Sequence, residues 1–192
     1  MENIDDLIWL PLGAADVDDA VRLNEEAGWN QIADDWRFML DHGEGTGVRC
    51  GDLVATSMLM PQGDRFAWIA MILVTSAWQR RGLAGGLMRR CMDRAQELDL
   101  VAGLDATEAG RQIYLPLGFK DIYPLSRWQA DLPGGHMHEG VRFMEQDDLD
   151  TVAKFDYSVA GADRRALLKH LRDRCPEQAL VLEQNGELKG FV

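Results

Sequence analysis

The chain has 192 residues, 46% of them apolar, and a formal net charge of −12. That length suits one full domain and part of a second, and so acidic a balance argues against nucleic acid as a general partner. No apolar run approaches a membrane span, residues 1–6 are acidic and unlike a signal peptide, and the cysteines Cys50, Cys91 and Cys175 are odd in number and widely spaced, so reduced thiols and a cytoplasmic setting are expected.

Residues 8–12 (Ile-Trp-Leu-Pro-Leu) read as an opening strand. Asp16 is placed to cap a helix carrying Val17, Val21 and Leu23, and a second helix is predicted over residues 32–40. Residues 42–47, with glycine at every second position, read as a loop. A hairpin follows: residues 48–50, a Gly51-Asp52 turn, and residues 53–60. Residues 61–64 turn into a strand over 66–74 that is apolar on both faces and therefore interior to a sheet. Next comes a helix with Leu83, Leu87, Cys91, Ala95 and Leu98 on one face, then a buried strand over 100–105. A short helix over 106–117 ends at Gly118 in the left-handed conformation, and a final strand is predicted over 122–130.

Between Val74 and the long helix stands Gln79-Arg80-Arg81-Gly82-Leu83-Ala84. A strand, a glycine-bearing loop and a helix start together offer free backbone N–H groups to a phosphate. Gly82 lets the backbone approach a ligand, and Arg80 and Arg81 add charge. The run has neither the Gly-x-x-x-x-Gly-Lys-Ser/Thr nor the Gly-x-Gly-x-x-Gly spacing. Gln79, Gly82 and Ala84 match Gln/Arg-x-x-Gly-x-Gly/Ala, which resembles the acetyl-coenzyme A loop of the GNAT N-acetyltransferase superfamily. Downstream, Tyr114-Leu115-Pro116-Leu117-Gly118-Phe119 is similar to that family's Tyr-x-x-Leu-Gly-Phe segment. The resemblance covers residues 8–131.

The resemblance implies an α/β (α+β) fold with a mixed, largely antiparallel central sheet flanked by helices. It also implies an N-acetyltransferase moving the acetyl group of acetyl-CoA, a co-substrate, to a primary amine by direct attack, without a metal. The strand before the loop would pair with the pantetheine arm through the backbone of Ile72, Leu73 and Val74, with the Leu73 or Val74 N–H as oxyanion donor. Amides from Arg80 through Gly82, Leu83 and Ala84 to Gly85 would hold the pyrophosphate. Tyr114 is the implied general acid, since a phenol of pKa about 10 can protonate a departing thiolate of pKa about 8.5. Asp105, at the end of its strand, is the candidate contact for the acceptor amine; Glu108, Glu25 or a water relay remain alternatives for the base. Thr107 stands where the family has Asn, so its coenzyme contact loses the amide. The unassigned base, the Thr107 departure and an incomplete second unit at the end of the chain keep a second reading open: a coenzyme A-binding regulatory or interaction module without turnover. Trp29, Trp36 and Trp78 are expected in the core, with Trp36 the one that would otherwise line the acceptor pocket. Arg89, Arg90 and Arg94 are expected on a solvated helix face.

Residues 132–140 read as a Gly-rich linker. His136 and His138 lack further ligands nearby, and a loop is preferred there to a metal site. After the linker the opening pattern returns: a strand over 141–144, a helix from Asp147-Asp148 through Phe155, a helix over 165–174, and a hairpin around Asn185-Gly186. The expected organisation is an acetyltransferase domain over 1–131, a linker over 132–140 and the first half of a second such unit over 141–192, as in tandem GNAT proteins. The half-unit stops in its third strand. Truncation is the expected cause, with the unpaired sheet edge favouring association between chains.

Overall fold

Alternating apolar segments joined by glycine-bearing turns build a five-stranded sheet whose strands pair in sequence order. They are β1 (Ile8–Pro11), β2 (Glu44–Cys50), β3 (Asp52–Gln62), β4 (Phe66–Val74) and β5 (Val101–Gly103). All pair antiparallel except β4 and β5, which run parallel. A parallel step needs a crossover, and α3 (Leu83–Glu97) supplies it. Helices α1 (Val17–Glu26) and α2 (Ala33–His42) join β1 to β2, and α4 (Glu108–Tyr114) follows β5. This computed structural model describes residues 7–126 and 137–192, and the chain divides into two units, Met1–Leu125 and Ser126–Val192.

The helices cover the sheet with the faces that the apolar spacing marks out. Val17, Ala20 and Leu23 of α1 and Trp36 of α2 meet Leu53, Met58, Met71 and Leu73. On α3, Leu83 and Leu87 pack with Val48, Val54 and Ala55, and Met88, Cys91 and Ala95 pack with Leu59, Ala67 and Ile69. Leu98, expected on that face, is more than a third exposed just past the end of the helix.

Strand β4 carries an irregularity that its regular apolar run conceals. Thr56 pairs with Leu73 and Met58 with Ala70, so Met71 and Ile72 together oppose Ser57: a β-bulge. Met71 takes a left-handed φ of 53°, which costs about 1–2 kcal/mol for a residue with a Cβ. Its carbonyl accepts the buried Thr56 hydroxyl at 2.9 Å. The extra residue reverses the alternation: Ala67 and Ile69 pack against α3, whereas Met71 and Leu73 pack against α1 and α2.

Three local expectations are corrected. Most of the loop predicted over residues 42–47 is the first half of β2. Its glycines are close-packing positions: a Cβ on Gly47 would stand 2.6 Å from Leu12 Cδ2 and 2.9 Å from Leu53 Cδ1. Asp16 does not cap α1 with its side chain; its carboxylate accepts the Gly13 amide at 2.9 Å and the Arg49 guanidinium at 2.6 Å. The described part of the strand predicted over 122–130, residues 122–126, forms no strand and is exposed, and residues 127–130 lie outside the described residues.

In the second unit β6 (Val141–Phe143), β7 (Leu180–Gln184) and β8 (Glu187–Phe191) form an antiparallel sheet in that order, with α5 (Leu149–Ala160) and α6 (Arg165–Arg174) between β6 and β7. Met144, Leu149, Val152, Ala179 and Val181 make its core. Asn185 and Gly186, at φ 55° and 74°, give the two left-handed residues that a tight hairpin turn needs. Helix α5 runs past the predicted end at Phe155. The order of elements and the strand pairing repeat those of β1, α1, α2, β2 and β3. One side-chain arrangement repeats as well. Asp148, like Asp16, closes a short 3-10 turn before the helix, accepts the amide three residues back (Glu145, 2.7 Å) and pairs with an arginine, Arg142. Of the linker predicted over 132–140, residues up to His136 lie outside the described residues.

Candidate active site

Strand β5 pairs with β4 only at Phe66, Ala67 and Trp68. From Ile69 onward the β4 edge has no strand partner among the described residues, so the two strands splay. Thr75 donates its amide to the Val54 carbonyl at 2.9 Å. The alternation of an antiparallel ladder then turns the Leu73 amide toward β3 and the Val74 amide and carbonyl toward the open side. The Val74 carbonyl is met there by Gln79 Nε2 at 3.1 Å. Of the two predicted oxyanion donors, Val74 thus has the open amide. Leu73 contributes a buried side chain to the core.

The chain leaves β4 through a 3-10 turn, Ser76–Trp78, and enters α3 through two left-handed residues, Arg80 at φ 59° and Gly82 at φ 85°. Gly82 is the N-cap of α3, and no atom lies within 4 Å of where its Cβ would be. The first intrahelical bond runs from the Gly86 amide to the Gly82 carbonyl. The amides of Leu83, Ala84 and Gly85 are therefore without helical partners, at the positive end of the helix dipole. No acid occupies the first turn of α3. Arg80 is exposed, and the Arg81 guanidinium lies 4.5 Å from the ring centroid of buried Trp78. Open amides, a glycine with free space and two arginines fit a polyphosphate ligand. Gly86 fixes the helix against the sheet, since a Cβ there would meet Trp9 Cη2 at 2.8 Å. Arg90 stacks over the same Trp9 ring at 4.8 Å, and Arg94 pairs with Glu44 and Glu97.

Tyr114 and Asp105 gather elsewhere, around a concavity of about 1180 Å³ whose lining includes Phe66, Trp68, Phe119 and Tyr123. It sits toward the start of β4, whereas the loop lies beyond the end of that strand. Tyr114 packs partly buried beside the Leu59, Ala67 and Ile69 cluster, edge-on to Phe119 at 6.3 Å. Its ring covers Gly110, where a Cβ would stand 2.8 Å from Cε2. Burial pushes the Tyr114 phenol above its ordinary pKa, so it holds its proton at neutral pH. Asp105 is exposed. Thr107 caps α4, its Oγ1 accepting the Gly110 amide at 3.1 Å. Trp36 is fully buried between the α1–α2 layer and the sheet and lines no pocket mouth. Trp78 is buried too, and Trp29 is 37% exposed, against the core placement expected for it. Glu25 and Glu108 are exposed.

One residue at the site was not anticipated. Glu26, in the last turn of α1, accepts the Thr75 hydroxyl and the Ser76 amide, each at 2.7 Å. The Ser76 amide and then the Thr75 hydroxyl hold its carboxyl below the usual glutamate range.

Residues 2–119 match the model of the acetyltransferase (GNAT) family. The uncharacterised N-acetyltransferase YitH of Bacillus subtilis strain 168 is 26% identical over 198 aligned residues, covering all of this chain and 68% of the relative. A proposed acetyltransferase from Pyrococcus horikoshii superposes with a TM-score of 0.73 at 20% identity, over the whole of this chain and 73% of its own. A proposed acetyltransferase from Clostridium acetobutylicum, solved with acetyl-CoA, superposes with a TM-score of 0.54 at 15% identity over 64% of this chain and 96% of its own. At these identities the structural likenesses establish the fold.

Proposed function

The chain belongs to the acetyltransferase (GNAT) family and is an acetyl-CoA-dependent N-acetyltransferase, and from that premise we propose a direct transfer to a primary amine with Tyr114 as general acid. The observation that carries this reading is the unpaired β4 edge running into a helix start with free amides. Along that edge the Val74 backbone would pair with the pantetheine arm, whose thiol end would run back past the open amides of the edge toward the Tyr114 concavity at the start of β4. The loop amides from Arg80 to Gly85, with the Arg80 and Arg81 charges, would hold the pyrophosphate, and Gln79 would border the arm. The ligand brings an activated thioester. The chain orients it, steadies charge on the carbonyl oxygen and supplies a proton to the departing sulfur. Tyr114 is proposed for the last task because it borders that concavity and carries its proton at neutral pH. Asp105, beside the same concavity, is the proposed contact for the acceptor amine. Residues 141–192 are proposed to be the opening half of a second GNAT-like unit after a linker at 132–140. The repeated element order and the Asp16 and Asp148 arrangements support this.

Calorimetric titration with acetyl-CoA, using adenosine diphosphate as control, tests the loop. Thiol release with an amine panel tests turnover. Tyr114→Phe is expected to lower kcat by about 100-fold or more while leaving acetyl-CoA affinity within about twofold of wild type. Unchanged turnover in that variant would remove Tyr114 from the mechanism, and binding without turnover on any amine would favour the non-catalytic reading.

A further inference from the structure

We propose that Glu26 is a positioning residue that braces the start of the cofactor loop from helix α1. The proposal rests on the acetyl-CoA reading of that loop. Both carboxylate oxygens are engaged by consecutive residues just past Val74: Oε2 accepts the Thr75 hydroxyl and Oε1 accepts the Ser76 amide, each at 2.7 Å. The brace has a firm footing, because Val17, Ala20 and Leu23 of the same helix are buried against the sheet. Thr75 is also held by its amide on the Val54 carbonyl and by the Trp78 amide on its own carbonyl, at 2.9 Å each. A shift of the loop's first residues therefore breaks a charge-assisted pair of bonds before it moves the Val74 amide next door. The contact joins residues 49 and 50 positions apart. It ties the α1–α2 layer to the loop that carries the free amides of α3.

Charge alone argues the opposite effect, which makes the test decisive. A carboxylate beside a phosphate-binding loop repels the ligand through space, so removing it simply as a charge should improve affinity. Removing it as a brace should weaken affinity, because the loop must then be ordered by the ligand. Steady-state kinetics on the full chain, with acetyl-CoA varied at saturating amine, separates the two.

Glu26→Ala is expected to raise KM for acetyl-CoA about tenfold, the value of one charged hydrogen bond, with kcat changed less than about threefold. Glu26→Gln, which keeps one acceptor oxygen, should fall between Ala and wild type. Thr75→Val should raise KM on its own and add little on top of Glu26→Ala, as expected when two changes remove one interaction. Amide exchange at Ser76 and Trp78 should quicken in Glu26→Ala, a readout independent of ligand. An unchanged or lower KM in Glu26→Ala, or unchanged exchange at Ser76, overturns the brace. Failure of the wild-type chain to bind acetyl-CoA would instead overturn the loop reading, and the exchange measurement would still judge the brace.

Discussion

Replacing Gly82 by alanine isolates the backbone conformation on which the cofactor loop depends. Gly82 has φ 85°, and the position its Cβ would occupy has no atom within 4 Å. A steric clash is thus excluded, and the cost is conformational. A left-handed residue with a Cβ costs about 1–2 kcal/mol. Against this, alanine restricts the unfolded chain and returns about 0.4–1 kcal/mol. The net expectation is a loss of about 1 kcal/mol. If the loop keeps its shape in the free protein, the loss appears as a fall in Tm of about 3–5 °C. If the free loop relaxes out of the left-handed region, Tm holds, and acetyl-CoA must restore the strained shape at about fivefold weaker affinity. Scanning calorimetry and isothermal titration on the same preparation capture both routes. Gly82→Asn should recover part of the loss, since asparagine tolerates this region better than alanine. An alanine variant equal to wild type in both melting and affinity would refute the assignment of the loop's shape to Gly82.

The bulge in β4 gives a second prediction. Thr56→Val keeps the shape of a fully buried side chain but removes its bond to the Met71 carbonyl, and urea denaturation should show a loss of about 1–2 kcal/mol; no shift of the midpoint would mean that the bulge needs no such support. A third concerns acid stability. Burial raises the Asp16 pKa, but the Arg49 guanidinium and the Gly13 amide outweigh it and hold the group below its ordinary value. The folded state then binds this proton less readily than the unfolded state, so the contribution is present above about pH 4 and is lost as pH falls through the lowered folded value. Asp16→Asn should flatten the decline of Tm below about pH 4, and an unaltered acid limb would show that other carboxylates set it.

Local chemistry was legible in the chain itself. The turn at Asn185-Gly186 and the left-handed stop at Gly118 follow from residue types within a few positions of each other. The same holds for the apolar faces of α1 and α3 and for the length of β4. The turn before α3 was legible for the same reason: it is made of contiguous backbone, so its signal lies in one short run of sequence.

What depended on distant partners was not legible. Gly43, Gly45 and Gly47 signal a break when read locally, yet Gly45 and Gly47 allow β2 to approach Leu12, Leu40, Leu53 and Met58. The left-handed Met71 sits within an unbroken apolar run, and only the register against β3 shows that it is a bulge. Asp16 turned from the predicted cap to Arg49 across the fold, and Glu26 met residues 50 positions away. Residue types in the chain located most of the strands and helices and the glycine-bearing turn before α3, because hydrophobic period and turn chemistry act over neighbouring residues. Which amide faces the open β4 edge and which carboxylate meets Thr75 and Ser76 emerged only on folding, because both depend on pairing between segments far apart in the chain.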